Sequence, residues 1–125
     1  MVTAVQPAPT PLCAVAIEHM GGAISRVSPT DTAFSHRRAQ HSFLAIGVAV
    51  DAADAEKVIS WSRKQWEAVR PYLEEGVYVN YLGEDEGAAR VRSAYGINYD
   101  RLAAIKAKYD PGNLFRLNQN INPAP

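Results

Sequence analysis

The chain has 125 residues, 47% hydrophobic and 21% charged, and its 13 basic and 13 acidic side chains cancel. That is the length of one domain; its apolar content excludes a disordered chain, and only eight glycines and eight prolines exclude a collagen-like or low-complexity one. Zero net charge exerts little pull on phosphate backbones or anionic lipid, so neither a nucleic-acid nor a membrane partner is expected, and no apolar run reaches the ~20 residues of a membrane span.

In chain order, the opening Met1–Gln6 shows no basic segment followed by an apolar one, so no leader is read and a cytoplasmic location is expected. Pro7, Pro9 and Pro11 impose an extended lead-in. Cys13, the single cysteine, excludes an internal disulfide and a cysteine-rich zinc centre, and reads as a small buried thiol. Residues 13–17 and 23–27 read as extended runs around Gly21-Gly22. That pair is either a hairpin turn or a bulge within one long strand, the bulge being favoured because 18–20 still look extended. Residues 28–40 form a loop.

The run 42–50 is almost wholly apolar and reads as a strand buried on both faces. Gly47 within it implies a close neighbour or a ligand passing over the backbone. Val58, Ile59, Ser62, Trp66, Val69 and Leu73 form the stripe of an amphipathic helix over 52–70, with Asp51 as N-cap and Pro71 as terminator. Residues 77–82 alternate and are rich in tyrosine and valine, which predicts a strand. The acidic loop 84–86 follows, then a short helix over 88–94 with Val91 and Ala94 inward. Asn98 is placed to cap a further helix whose face carries Leu102, Ile105 and Tyr109, and Asp110-Pro111-Gly112-Asn113 stops it.

Few residues carry recognisable chemistry. His36 and His41, with His19 on another strand, lack any metal-binding spacing and read as surface or hydrogen-bonded histidines, so no metal is expected. There is no nucleophile elbow, no P-loop and no G-x-G-x-x-G. Glu84-Asp85-Glu86 lacks the spaced ligands of a calcium loop and reads as solvated. Tyr78-Val79-Asn80-Tyr81 remains. On a strand, Tyr78 and Asn80 face one side and Tyr81 the other. A phenol serves as a general base only where a partner lowers its pKa; otherwise these tyrosines simply pack.

Four segments in order then carry a resemblance: Tyr78-Val79-Asn80-Tyr81; Tyr95-Gly96-Ile97-Asn98-Tyr99-Asp100-Arg101-Leu102; Ile105-Lys106-Ala107-Lys108-Tyr109-Asp110-Pro111-Gly112-Asn113-Leu114-Phe115; and Asn118-Gln119-Asn120-Ile121 with Pro123. Together they resemble the C-terminal signature of the berberine bridge enzyme-like flavin oxidoreductases. Upstream, Glu18-His19-Met20-Gly21-Gly22-Ala23 and Phe34-Ser35-His36-Arg37 look like the end of that family's substrate domain. The resemblance implies an α+β fold: a small antiparallel sheet of three or four strands with two or three helices packed on one face. It implies one domain over 1–125, with 1–70 substrate-domain-like and 71–125 the C-terminal region.

The resemblance also implies FAD as cofactor and a small-molecule substrate. Tyr81 matches the proton-abstracting tyrosine, which takes a hydroxyl or phenol proton while hydride leaves for the flavin. Asn80 matches a flavin contact and Tyr78 frames the pocket. Phe43, Ala45 and Gly47 match positions lining the substrate cavity, and here they form an apolar wall where plant members place a carboxylate or amide at position 43. Lys106, Arg101 and Asp110 read as scaffold. The family's FAD-binding domain is not recognisable in these residues, so a partner chain bringing FAD is expected. Open strand edges and an uncovered apolar face lead to the expectation of a homodimer. The alternative is a stand-alone, non-catalytic oligomerisation or small-ligand-binding domain of the same ancestry.

Overall fold

Two strands and four helices succeed one another along the protein's structure, a computed structural model that describes residues 7–83 and 86–125. They are β1 (Ala14–His19), the one-turn α1 (Ala23–Arg26), β2 (His41–Ile46), α2 (Ala55–Val69), α3 (Ala88–Tyr95) and α4 (Tyr99–Tyr109). Single 3-10 turns lie at Ala52–Asp54, Arg70–Tyr72, Val79–Tyr81 and Gly96–Asn98. The class is α+β, as expected, but the sheet has two strands rather than three or four. The chain divides into two compact units: residues up to Gly21 with Ala39–Glu74, and Gly22–Arg38 with Glu75–Pro125.

In the first unit β1 and β2 pair antiparallel, from Ala14 opposite Ile46 to His19 opposite His41. Alternation places Val15, Ile17 and His19 on the same face as Ala45, Phe43 and His41. Helix α2 covers one end of that face, where Cys13, Val58 and Trp61 form a buried cluster with Val15 packed on it. Glu56 in its first turn suits the helix dipole, and Pro71 lies just beyond its end. Its inward residues are Val58, Trp61 and Gln65, whereas Ile59 and Trp66 of the expected stripe are exposed. Gly47 sits against this helix. A Cβ there would fall 2.4 Å from Ser62 Oγ and 2.7 Å from Val58 Cγ1, so the chain passes α2 at a distance that excludes a side chain.

Two expectations for this region do not hold. The strand expected over 42–50 ends at Ile46, and Val48 and Val50 are exposed. A two-stranded ribbon has one covered face, so its residues are half-buried rather than buried on both sides. The strand expected over 23–27 is instead α1. Gly21-Gly22 forms neither hairpin nor bulge, since Gly22, at φ +69°, turns the chain out of the ribbon.

In the second unit Leu82, Val91 and Ala94 form the core, with Val77, Val79 and Tyr95 packed against them. Helix α3 matches the helix expected over 88–94 and ends at Gly96, whose φ of +51° favours glycine. Helix α4 follows the 3-10 turn directly. Asn98 precedes it without capping it by side chain. Its buried amide instead donates through Nδ2 to Pro29 O at 2.7 Å and Thr32 O at 3.0 Å. Arg101 Nη1 adds a bond to Thr30 O at 3.0 Å, so the start of α4 clasps the loop 29–33. Ala103 is buried and Leu102 half-buried, while Ile105 and Tyr109 are exposed, a rotation from the expected face.

The stop after Tyr109 is built as expected. Asp110 accepts the backbone N–H groups of Leu114 at 2.8 Å and Phe115 at 3.0 Å, and pairs with Lys106. The Lys106 ammonium hydrogen-bonded to it holds the Asp110 carboxyl below the usual carboxylate range, with the two N–H groups acting in the same sense. The tail is tied down by Gln119 Nε2 donating to Leu82 O at 2.9 Å and Ala124 N–H to Ala103 O at 3.0 Å.

Candidate functional site

The segment 77–82 is not a strand. Val79–Tyr81 form a 3-10 turn, closed by Tyr81 N–H on Tyr78 O at 2.9 Å and Leu82 N–H on Val79 O at 3.3 Å. The expectation that a sheet strand carries these residues is thereby corrected. Val77, Val79 and Leu82 turn into the core of the second unit, which fixes the turn from below and leaves the polar residues outward.

Residues three apart eclipse in a 3-10 turn. Tyr78 and Tyr81 therefore share a side, with ring centroids 5.1 Å apart and planes at 81°. Asn80 Nδ2 donates to Tyr78 Oη at 2.8 Å. Phe34 meets Tyr78 edge-on at 5.8 Å. The Arg37 guanidinium stacks 4.8 Å above Phe34 and donates to Thr32 Oγ1, Phe34 O and Ile24 O. His36 meets Phe34 edge-on at 5.9 Å, and its Nε2 lies 3.1 Å from both Ser93 O and Ala94 O, so it donates there to the C-terminal end of α3.

The site is thus an aromatic patch. Tyr78 is 37% exposed and Tyr81 46% exposed, which leaves both rings accessible at their edges. In the sequence Phe34, His36 and Arg37 form a motif that carries no site role of its own. Their contribution is long-range, and the spacing F-x-H-R before β2 was its one available signal. Nearby Tyr95 belongs to the core, where burial pushes its phenol up and keeps it neutral.

The remaining candidates lie elsewhere. Phe43, Ala45 and Gly47 belong to the first unit. Gly47 has α2 as its close neighbour, whereas Phe43 is half-buried opposite Ile17, itself 54% exposed, at the open end of the ribbon face. Cys13 is buried, with Thr10 Oγ1 at 3.1 Å from its sulfur and donating to Val48 O at 2.9 Å. Of the acidic loop, Glu84 and Asp85 lie outside the described residues, and Glu86 pairs with Arg90 at 3.4 Å. Lys106, Arg101 and Asp110 are scaffold, as expected.

Two phenols and a carboxamide on an exposed aromatic edge suit the face or rim of a planar heteroaromatic ring. They do not suit a pyrophosphate, which needs clustered N–H donors or cations. The residues present fit the ring portion of a flavin and leave its phosphates to be held by other groups.

A family model described as berberine and berberine like matches residues 77–122, which include the whole of this turn. The chain is 34% identical over 105 residues to an uncharacterized FAD-linked oxidoreductase, YvdP, of Bacillus subtilis, covering 83% of this chain and 23% of that protein. It is 30% identical over 125 residues to berberine bridge enzyme-like 23 of Arabidopsis thaliana, covering 86% of this chain and 24% of that protein. Among solved structures it superposes on a variant of Physcomitrella patens BBE-like 1 with a TM-score of 0.70 and 31% identity, over 82% of this chain and 22% of that one. The chain therefore spans about a quarter of the length of the relatives it matches.

Proposed function

Because the chain belongs to the berberine bridge enzyme-like family of FAD-linked oxidoreductases, we propose that it supplies the C-terminal, flavin-facing portion of such an enzyme. The observation that carries this reading is the Tyr78–Asn80–Tyr81 turn, an exposed aromatic and amide patch inside the matched segment 77–122. FAD, when bound, supplies the two-electron acceptor. Tyr81 accepts a proton from a hydroxyl or phenol of a small-molecule substrate. Asn80, steadied on Tyr78 Oη, presents its amide to the ring, and Tyr78 frames the pocket with Phe34 behind it. In the first unit by itself, Phe43 and Ala45 present an apolar face, and Gly47 sets how closely α2 approaches.

The phosphates of the cofactor fall to a partner domain or chain. The test is to purify the chain, record its flavin absorbance, and titrate it with FAD in the presence and absence of an FAD-binding domain from a relative. Activity and a flavin spectrum that arise only in the mixture support the reading. In that mixture Tyr81→Phe lowers turnover by about 10²–10⁴-fold and leaves flavin binding intact. Unchanged turnover removes Tyr81 from the mechanism.

A second reading, a non-catalytic module that forms a homodimer, draws support from the exposed side chains of Tyr72, Leu114, Phe115 and Leu117 and the two open edges of the ribbon. A colourless protein with dimeric mass in solution and no response to FAD favours it.

A further inference from the structure

Strand register brings His19 and His41 side by side although they are far apart in sequence. They stand directly opposite each other in the β1–β2 ladder, where Cβ atoms lie about 4.5–5.5 Å apart. Their ring centroids are 5.6 Å apart and their planes are inclined by 57°. Both residues are exposed, on the end of the ribbon face where Ile17 is also exposed.

The pair is held in place from two sides. The ladder continues beyond it, with Met20 N–H donating to Gln40 O at 2.9 Å. Gly21 lies against the His19 ring so closely that a Cβ would fall 2.4 Å from Cε1. Two imidazoles sharing one ion at nitrogen–metal distances of about 2.0–2.1 Å and a tetrahedral angle have centroids about 5.2 Å apart. The observed 5.6 Å is within a few tenths of an ångström of that separation.

We propose that His19 and His41 form a cross-strand chelate for one first-row divalent transition-metal ion (zinc, nickel or copper), held by one nitrogen of each ring. Imidazole nitrogen is a ligand type that suits these ions, and the pair offers two. His36 belongs to the second unit and is not part of this cross-strand pair. Glu18 and Ser42, the strand neighbours, point to the opposite face. Among the described residues no third histidine, cysteine or carboxylate completes a cluster, so water fills the other coordination positions and the site is open rather than a closed structural centre. The bound ion joins the two strands and stabilises the ribbon by mass action.

The experiment titrates the full chain with zinc, nickel and copper chlorides by calorimetry above neutral pH, with circular dichroism as the folding control. One ion per chain is expected. His19→Ala and His41→Ala, both at exposed positions, each weaken binding by about tenfold or more. Substoichiometric copper should broaden the imidazole proton signals of His19 and His41 in the unaltered chain and spare those of His36, a readout that does not depend on either variant folding. Wild-type affinity in either variant, no binding at all, or selective broadening of His36 overturns the proposal.

Discussion

The approach of Gly47 to α2 gives a quantitative handle on the first unit. In Gly47→Ala the new methyl would fall 2.4 Å from Ser62 Oγ and 2.7 Å from Val58 Cγ1. The serine hydroxyl can turn to another rotamer. Val58 cannot yield as easily, because it is buried, β-branched and wedged between Cys13 and Trp61. Overpacking of this kind costs about 1–3 kcal/mol. Val58→Ala alone removes two buried methyl groups at about 0.8 kcal/mol each, or roughly 2 kcal/mol with the cavity left behind.

In the double variant the alanine at 47 occupies part of the space Val58 vacates. The clash disappears, and the pair should destabilise by little more than Val58→Ala alone, a coupling of about 1–2 kcal/mol. Urea unfolding followed by tryptophan fluorescence reads this directly, since buried Trp61 and exposed Trp66 both lie on α2. With a slope of about 1–3 kcal/mol per molar, Gly47→Ala moves the midpoint down by about 0.5–2 M. If the two effects add to within about 0.5 kcal/mol, or if Gly47→Ala leaves the midpoint in place, the helix does not pack on Gly47 as described.

Three further outcomes follow from the second unit. Asn98→Ala strands two loop carbonyls and should lower stability by about 2–3 kcal/mol in thermal unfolding; Asn98→Asp, which sets a carboxylate against those carbonyls, should cost more. The Asp110 carboxyl is depressed in the folded state, so its contribution is present above its unfolded pKa of about 3.9 and is lost as pH falls through the lower folded value. Protection of the Leu114 and Phe115 amides, taken relative to intrinsic exchange at each pH, should therefore fall on acidification, and Asp110→Asn should show weakened protection at every pH. Gly96→Ala, at φ +51° and with its methyl 2.6 Å from Ser35 Oγ, should destabilise by about 1–3 kcal/mol, measured by the same unfolding assay.

The three long helices were legible because apolar spacing and punctuation agreed. Pro71 follows α2, Gly96 ends α3 and Asp110 ends α4. The inward face of α2 was harder to read. Trp61 and Trp66 are five residues apart and cannot both point inward, and the choice of Trp61 is made by Cys13 and Val15, which come from a distant segment. At 23–27 the window is too short to show a helical period, so alternation prevailed over the turn set by Gly22. The extent of β2 was set by its partner: the ladder ends where β1 ends, at Ala14 opposite Ile46, and no local property of Gly47–Val50 records that. His19 and His41 become neighbours through the register alone, which no local sequence property records.

The Tyr78–Tyr81 segment shows why β-propensity misleads here. Tyrosine and valine favour a strand by packing on a pleated surface, but among the described residues the two strands pair with each other and the second unit contains none. Apolar Val77 and Val79 find their burial against Leu82 and the helix residue Val91, and a turn brings them there at no loss of core contact. In a strand the odd spacing between the two tyrosines would send them to opposite faces, and Asn80 would accompany Tyr78 alone. In a 3-10 turn the same spacing brings them together, with Asn80 between them reaching back to Tyr78 Oη. The Y-x-N-Y spacing therefore encodes a convergent patch only if the backbone turns. Loss of the predicted strand is thus the condition under which all three side chains come together.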